Sequence, residues 1–105
     1  MRRTSGCVAS LAFALLCSAA SAAEPAKFSR TEDVIYGRKY GTALTLDVFK
    51  PEQPNGIGLI LVVSGGWYSG HEAINLGFIQ PFLDRGYTVF AVVHGSQPKF
   101  TIPEI

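Results

Sequence analysis

Cysteine is almost missing from this sequence. Of 105 residues only Cys7 and Cys17 are cysteine, and both fall in one apolar leader. Once that leader is removed, neither a disulfide nor a cysteine-bound metal is available to staple the remainder. Charge is also sparse, at 16% of residues against 48% hydrophobic, with nine Lys and Arg facing eight Asp and Glu. Such a balance offers no basic stripe for nucleic acid or an anionic membrane surface. No apolar run reaches the roughly 20 residues that a membrane-spanning helix needs. Two glycine signatures fail as well. Gly65 and Gly70 have phosphate-loop spacing, but His71-Glu72 stand where Lys and Ser/Thr are required, and Glu72 would repel a phosphate. The dinucleotide fingerprint breaks on its glycine spacing and on His94, which ends the next strand in place of an acidic residue. No cofactor is expected, and two histidines with no third ligand in view give no expected metal.

What is present begins with a leader. Arg2 and Arg3 precede an apolar stretch from Cys7 to Ala20, and Ala20-Ser21-Ala22 or Ser21-Ala22-Ala23 has the small-x-small pattern of a signal-peptidase site. Residues 1–23 therefore read as a signal peptide and 24–105 as one small domain, secreted or periplasmic, with no membrane partner after cleavage. The rivals are a retained anchor and a lipoprotein, but Leu15-Leu16 lack the small residue that precedes a lipidated cysteine. Without Arg2 and Arg3, seven basic residues face eight acidic ones, a formal charge of −1.

Along the mature chain, Glu24 to Arg30 predicts a loose leader. Val34-Ile35-Tyr36 predicts a short strand closed by Gly37, and residues 37–42 a hairpin turn. The run from Leu44 to Phe49 alternates apolar and polar residues as far as Val48, which predicts a strand with one wetter face. Pro51, Pro54, Asn55 and Gly56 mark a loop. Leu59-Ile60-Leu61-Val62-Val63 follows without polar alternation, as in a parallel strand buried on both faces. Ser69 and Glu72 have capping-box spacing. Because a proline ring clashes with the carbonyl four residues back, Pro81 predicts a first turn near His71 and a main helix from about Gly77 to Arg85. Phe78, Ile79, Phe82 and Leu83 would face the sheet, with Gly86 past the helix end. Tyr87 to Val93 predicts a second buried strand, parallel to the first across the helical crossover. Thr101 and Glu104 have the spacing of another helix start.

The first buried strand stops on Ser64-Gly65-Gly66-Trp67-Tyr68-Ser69-Gly70. Glycine pairs let backbone N–H groups approach a bound group closely. Here the chain resembles the α/β-hydrolase esterase and lipase family, in which a His-Gly-Gly-Gly-Trp loop after the third strand supplies oxyanion-hole amides. Aligned on Trp67, Gly65 and Gly66 match the second and third family glycines, while Val63 and Ser64 replace the His and the first Gly. The resemblance runs from about Glu32 to Ile105. It implies the amino-terminal part of an α/β-hydrolase sheet, an antiparallel hairpin followed by a parallel strand-helix-strand, with the Gly65 and Gly66 amides as oxyanion donors. It also implies a small-molecule or polymer-linked carboxylic ester as substrate of the full-length parent. In the family the third strand lies between the fourth and fifth; no fifth follows here, so Ile57 to Val63 would be an exposed apolar edge.

The family's nucleophile is a Ser in a Gly-x-Ser-x-Gly elbow, followed by an acid and a His. No such pentapeptide occurs, and neither the acids nor the histidines stand where the triad would begin. The chain alone is expected to be inactive and reads as a fragment. Trp67, Tyr68, His71 and His94 are candidate substrate-pocket residues, because each follows a strand end expected on one rim. Each also has a plainer reading: packing for the aromatics, a solvated first-turn residue for His71, a backbone-bonded strand end for His94. A prolyl-oligopeptidase-like peptidase shares the same core. A secreted, non-catalytic binding protein with a degenerate hydrolase fold fits the replaced His-Gly.

Overall fold

The computed structural model describes residues 23–105. The signal-peptide reading, residues 1–23, lies outside the described residues except for Ala23. Four strands form one mixed sheet in the order β1-β2-β4-β3: β1 (Phe28–Lys39), β2 (Thr42–Pro51), β3 (Gly58–Val63) and β4 (Thr88–Val93). β1 and β2 form an antiparallel hairpin, β2 and β4 are antiparallel, and β3 and β4 run parallel in register from Gly58↔Thr88 to Val63↔Val93. The first strand begins earlier than the sequence suggests. Phe28, Ser29 and Arg30 belong to β1, because Phe28 pairs opposite Pro51 and its ring meets the Phe49 ring, tilted, at 5.7 Å.

One helix, α1 (Leu76–Asp84), bridges β3 and β4. The Asn75 side chain caps it by accepting the Phe78 amide at 3.2 Å, which satisfies one of the donors that every helix start leaves free. Ser69 does not cap; the preceding 3₁₀ turn, His71–Ala73, starts at Gly70 without a side-chain cap. The helix does run through Gly77. Pro81 gives up the bond to the Gly77 carbonyl from an exposed face, where water can take its place. At the other end Gly86 adopts φ 84°. Its amide reaches Leu83 and the Tyr87 amide reaches Phe82, at 2.9 and 3.0 Å. This is the Schellman pattern, in which a glycine closes the helix, and the Phe82 and Tyr87 rings meet edge to face at 6.3 Å.

Alternation across β2 selects which face meets the helix. Phe49, Val63, Val89 and Ala91 pack with Ile79 and Leu83 as the core. Asp47 shares that buried face, so the side of β2 expected to be wetter is the covered one. Phe78 turns outward instead of facing the sheet. On the opposite side Leu46, Ile60, Phe90 and Val92 line a shallow apolar hollow. Ile60 and Val62 are 71% and 59% exposed, so β3 is not buried on both faces.

Among the described residues β3 pairs with β4 alone, and its outer edge is a run of branched apolar residues. Unpaired apolar edges template association, and an edge lysine blocks it. Val62→Lys is therefore expected to slow aggregation on concentration or mild heating, measured by light scattering. Because Val62 is exposed, the change should leave the unfolding free energy within about 0.5 kcal/mol of the parent. Unchanged scattering would show that association does not use this edge.

Candidate functional site

The carboxyl ends of β3 and β4 lie side by side because the two strands run parallel to the last residue, Val63 beside Val93. The next residues, Ser64 and His94, are therefore neighbours. The Ser64 hydroxyl lies 2.8 Å from His94 Nε2, and His94 Nδ1 lies 2.6 Å from the Gly95 carbonyl oxygen. A carbonyl can only accept, so the proton sits on Nδ1 and Nε2 is the acceptor for Ser64 in the neutral ring. A Cβ at Gly95 would stand 2.6 Å from the buried Phe100 ring, so glycine lets that ring pack against the backbone there.

Gly65 to Tyr68 forms a tight hairpin turn. Gly65 N–H donates to the Tyr68 carbonyl at 2.8 Å and Tyr68 N–H returns the bond at 3.0 Å. The central residues Gly66 and Trp67 stand at φ 58° and 63°, the pattern of a turn whose two inner residues are both left-handed. The expectation of two free glycine donors is corrected here. The Gly65 hydrogen is taken within the turn, whereas the Gly66 amide has no hydrogen-bond acceptor among the described residues. Trp67 holds a conformation that bulky residues avoid, and its side chain is 50% exposed. The Trp67 carbonyl accepts the Gln97 amide.

Two serines tie the loop after β3 to the loop after β4. The buried Ser69 hydroxyl donates to the Val63 carbonyl and accepts the His94 amide at 3.2 Å. The Ser69 amide donates to Ser96 Oγ at 2.8 Å, and that hydroxyl donates back to the Ser69 carbonyl at 2.9 Å. Tyr68 turns away and donates to Glu72 at 2.6 Å. That bond holds the Tyr68 hydroxyl above its ordinary pKa and the Glu72 carboxyl below its own.

The four candidate pocket residues do not converge. A cleft of about 250 Å³ beside β3 is lined by Leu61, Ser64, Gly65, Tyr68, Ile74 and Phe78 among others, but not by Trp67, His71 or His94. His71 joins a different cluster. Its Nδ1 lies 2.9 Å from Asp47 Oδ1, and its Nε2 lies 2.9 Å from Thr45 Oγ1 and 3.2 Å from Asp33 Oδ1. Asp47 is fully buried and also accepts from Arg30 Nε at 2.9 Å and Nη2 at 2.5 Å and from the Asp33 amide at 3.1 Å. Burial pushes the Asp47 carboxyl up, but Arg30, the Asp33 amide and His71 together outweigh it and hold the group below its ordinary value. The ligand atoms of Asp33, Asp47 and His71 lie within 4.8 Å of one another, so the potential ligand set is one histidine with two aspartates and does not include His94. A cation there would have to compete with the Arg30 guanidinium, which already occupies Asp47 Oδ2.

Sequence reasoning missed both polar clusters. It placed His71 and His94 after strand ends on one rim; the parallel registration of β3 and β4 was the signal that would have paired Ser64 with His94. For Asp47 the signal was Phe49 two residues on, since alternation puts both on one face. No protein-family model matches the chain, and no curated protein matches it.

Proposed function

We propose that this chain carries the oxyanion-stabilising part of an exported α/β-hydrolase acting on carboxylic esters. The observation that carries the reading is the Gly66 amide, which follows the parallel edge strand β3 and has no acceptor among the described residues. Such an amide, fixed by a tight turn, can donate to oxygen as negative charge develops on it, and preorganised donors of this kind supply much of the transition-state stabilisation in acyl transfer. The strand order supports the same reading, because β3 lies beside β4 as the family arrangement implies. The engaged Gly65 amide is the specific observation favouring the rival, a secreted binding protein on a degenerate hydrolase fold.

Methylphosphonate, a tetrahedral anion resembling the charged intermediate, separates the two. Titrated into the ¹⁵N-labelled chain, it is expected to shift the Gly66 amide resonance saturably and leave Gly65, shielded by its bond to Tyr68, nearly still. Gly66→Val should lose the response, because a branched side chain disfavours the left-handed backbone held there. No saturable change at Gly66 would leave the hydrolase reading without its donor.

A further inference from the structure

We propose that Ser64 and His94 form a nucleophile and base that accept acyl groups from esters of short aliphatic acids. The inference goes beyond the oxyanion reading, because it puts an attacking group in this chain where no Gly-x-Ser-x-Gly elbow occurs. It rests on the contacts of the pair itself. The Ser64 hydroxyl is exposed and 2.8 Å from His94 Nε2, the distance at which an imidazole takes a hydroxyl proton. The Gly95 carbonyl, 2.6 Å from Nδ1, fixes the tautomer that leaves Nε2 free to accept. A nucleophile bonded to a base that is itself oriented by a third group is the geometry shared by hydroxyl-dependent acyl transfer, whatever the chain positions. A backbone carbonyl here stands where other such sites use a carboxylate.

Ser64 also lines the cleft bounded by Leu61, Ile74 and Phe78. At about 250 Å³ it is smaller than the roughly 300 Å³ at which pockets for drug-sized ligands begin. A short acyl chain is the ligand that fits. In the step itself Ser64 Oγ attacks the carbonyl carbon while its proton passes to His94 Nε2. The bond from that carbon to the alcohol oxygen then breaks, and the alcohol leaves carrying the same proton. The acyl group remains on Oγ until water displaces it as the free acid.

A short-chain alkyl fluorophosphonate tests the pair, because its adduct is stable. Ser64 Oγ bonds to phosphorus, fluoride leaves, and the proton passes through His94 to solvent. The full chain is expected to gain one adduct, located at Ser64 by peptide mass mapping of the unaltered protein. Labelling should disappear in Ser64→Ala and slow about 100-fold in His94→Gln, the low end of general-base contributions. Circular dichroism checks that each variant folds. Adducts scattered over other residues, no adduct, or His94→Gln labelling at the parental rate would overturn the pair and leave a structural tie between two loops. The Gly66 titration is independent. An adduct at Ser64 without a Gly66 shift would sink the oxyanion reading alone, and a shift without an adduct would sink this one alone.

Discussion

Asp47→Asn is expected to destabilise the fold by about 3 kcal/mol, the lower end of what breaking a buried ion pair costs. The lower end applies because the Arg30 side chain is partly open to water. The Asp47 carboxylate accepts from Arg30, the Asp33 amide and His71 at once. An amide keeps one acceptor and turns a donor toward groups that are themselves donors, leaving the guanidinium without its counter-charge. In urea, where small domains lose about 1–3 kcal/mol per molar denaturant, the midpoint should fall by more than about 1 M. A loss below about 1 kcal/mol would mean that the cluster is held by its surroundings and not by this charge.

The same residue sets an acid response with a definite sign. The Asp47 pKa is lowered on folding, so the unfolded chain takes up its proton first as pH falls. The stabilisation is complete above the ordinary carboxylate range and is lost as pH drops through the lower, folded value. Asp47→Asn should therefore flatten the stability profile below about pH 4, near the ordinary carboxylate pKa, while remaining less stable than the parent at neutral pH. A parallel loss of stability in both proteins would assign the acid limb to other carboxylates. Glu104, held at about 2 by the Thr101 amide and hydroxyl and by Tyr40, is the rival contributor.

Phe49→Ala is expected to cost about 3–5 kcal/mol, the range for removing a fully buried aromatic. The ring is completely covered, meets Phe28 at 5.7 Å and lies under the Arg30 guanidinium at 5.1 Å. Its loss would open a cavity where β1, β2 and α1 meet. Because small domains have only about 5–15 kcal/mol in total, much of the chain should be unfolded near 37 °C, visible as lost amide protection across all four strands. Arg30 touches both Phe49 and Asp47, so the two substitutions should not be additive. A double-mutant cycle is expected to give a coupling of about 0.5–3 kcal/mol. Strict additivity would show that Arg30 bonds the carboxylate equally well with or without the ring beneath it.

Much of the frame was legible before the structure. The apolar runs at 59–63 and 89–93, the turn-forming residues between them and the glycine after Arg85 gave the strand, helix, strand order, because those signals are local. Errors gathered where a partner distant in sequence decides. The Thr45, Asp47 and Phe49 face of β2 read as the wetter one, yet Phe49 draws that face under α1 and Asp47 goes with it, made tolerable by Arg30. His71 was expected near His94 and instead turns to Asp47. Gly65 was expected to offer its amide and spends it on Tyr68.

By itself the sequence determined which stretches become strands and helix and that a glycine turn would follow β3, since periodicity, capping and turn chemistry act over a few neighbouring residues. Only the tertiary structure decided which amide stays unpaired, which serine meets which histidine, and which face of β2 is covered. Each of those depends on two segments, tens of residues apart, arriving in register, and no single segment records where the other will stop.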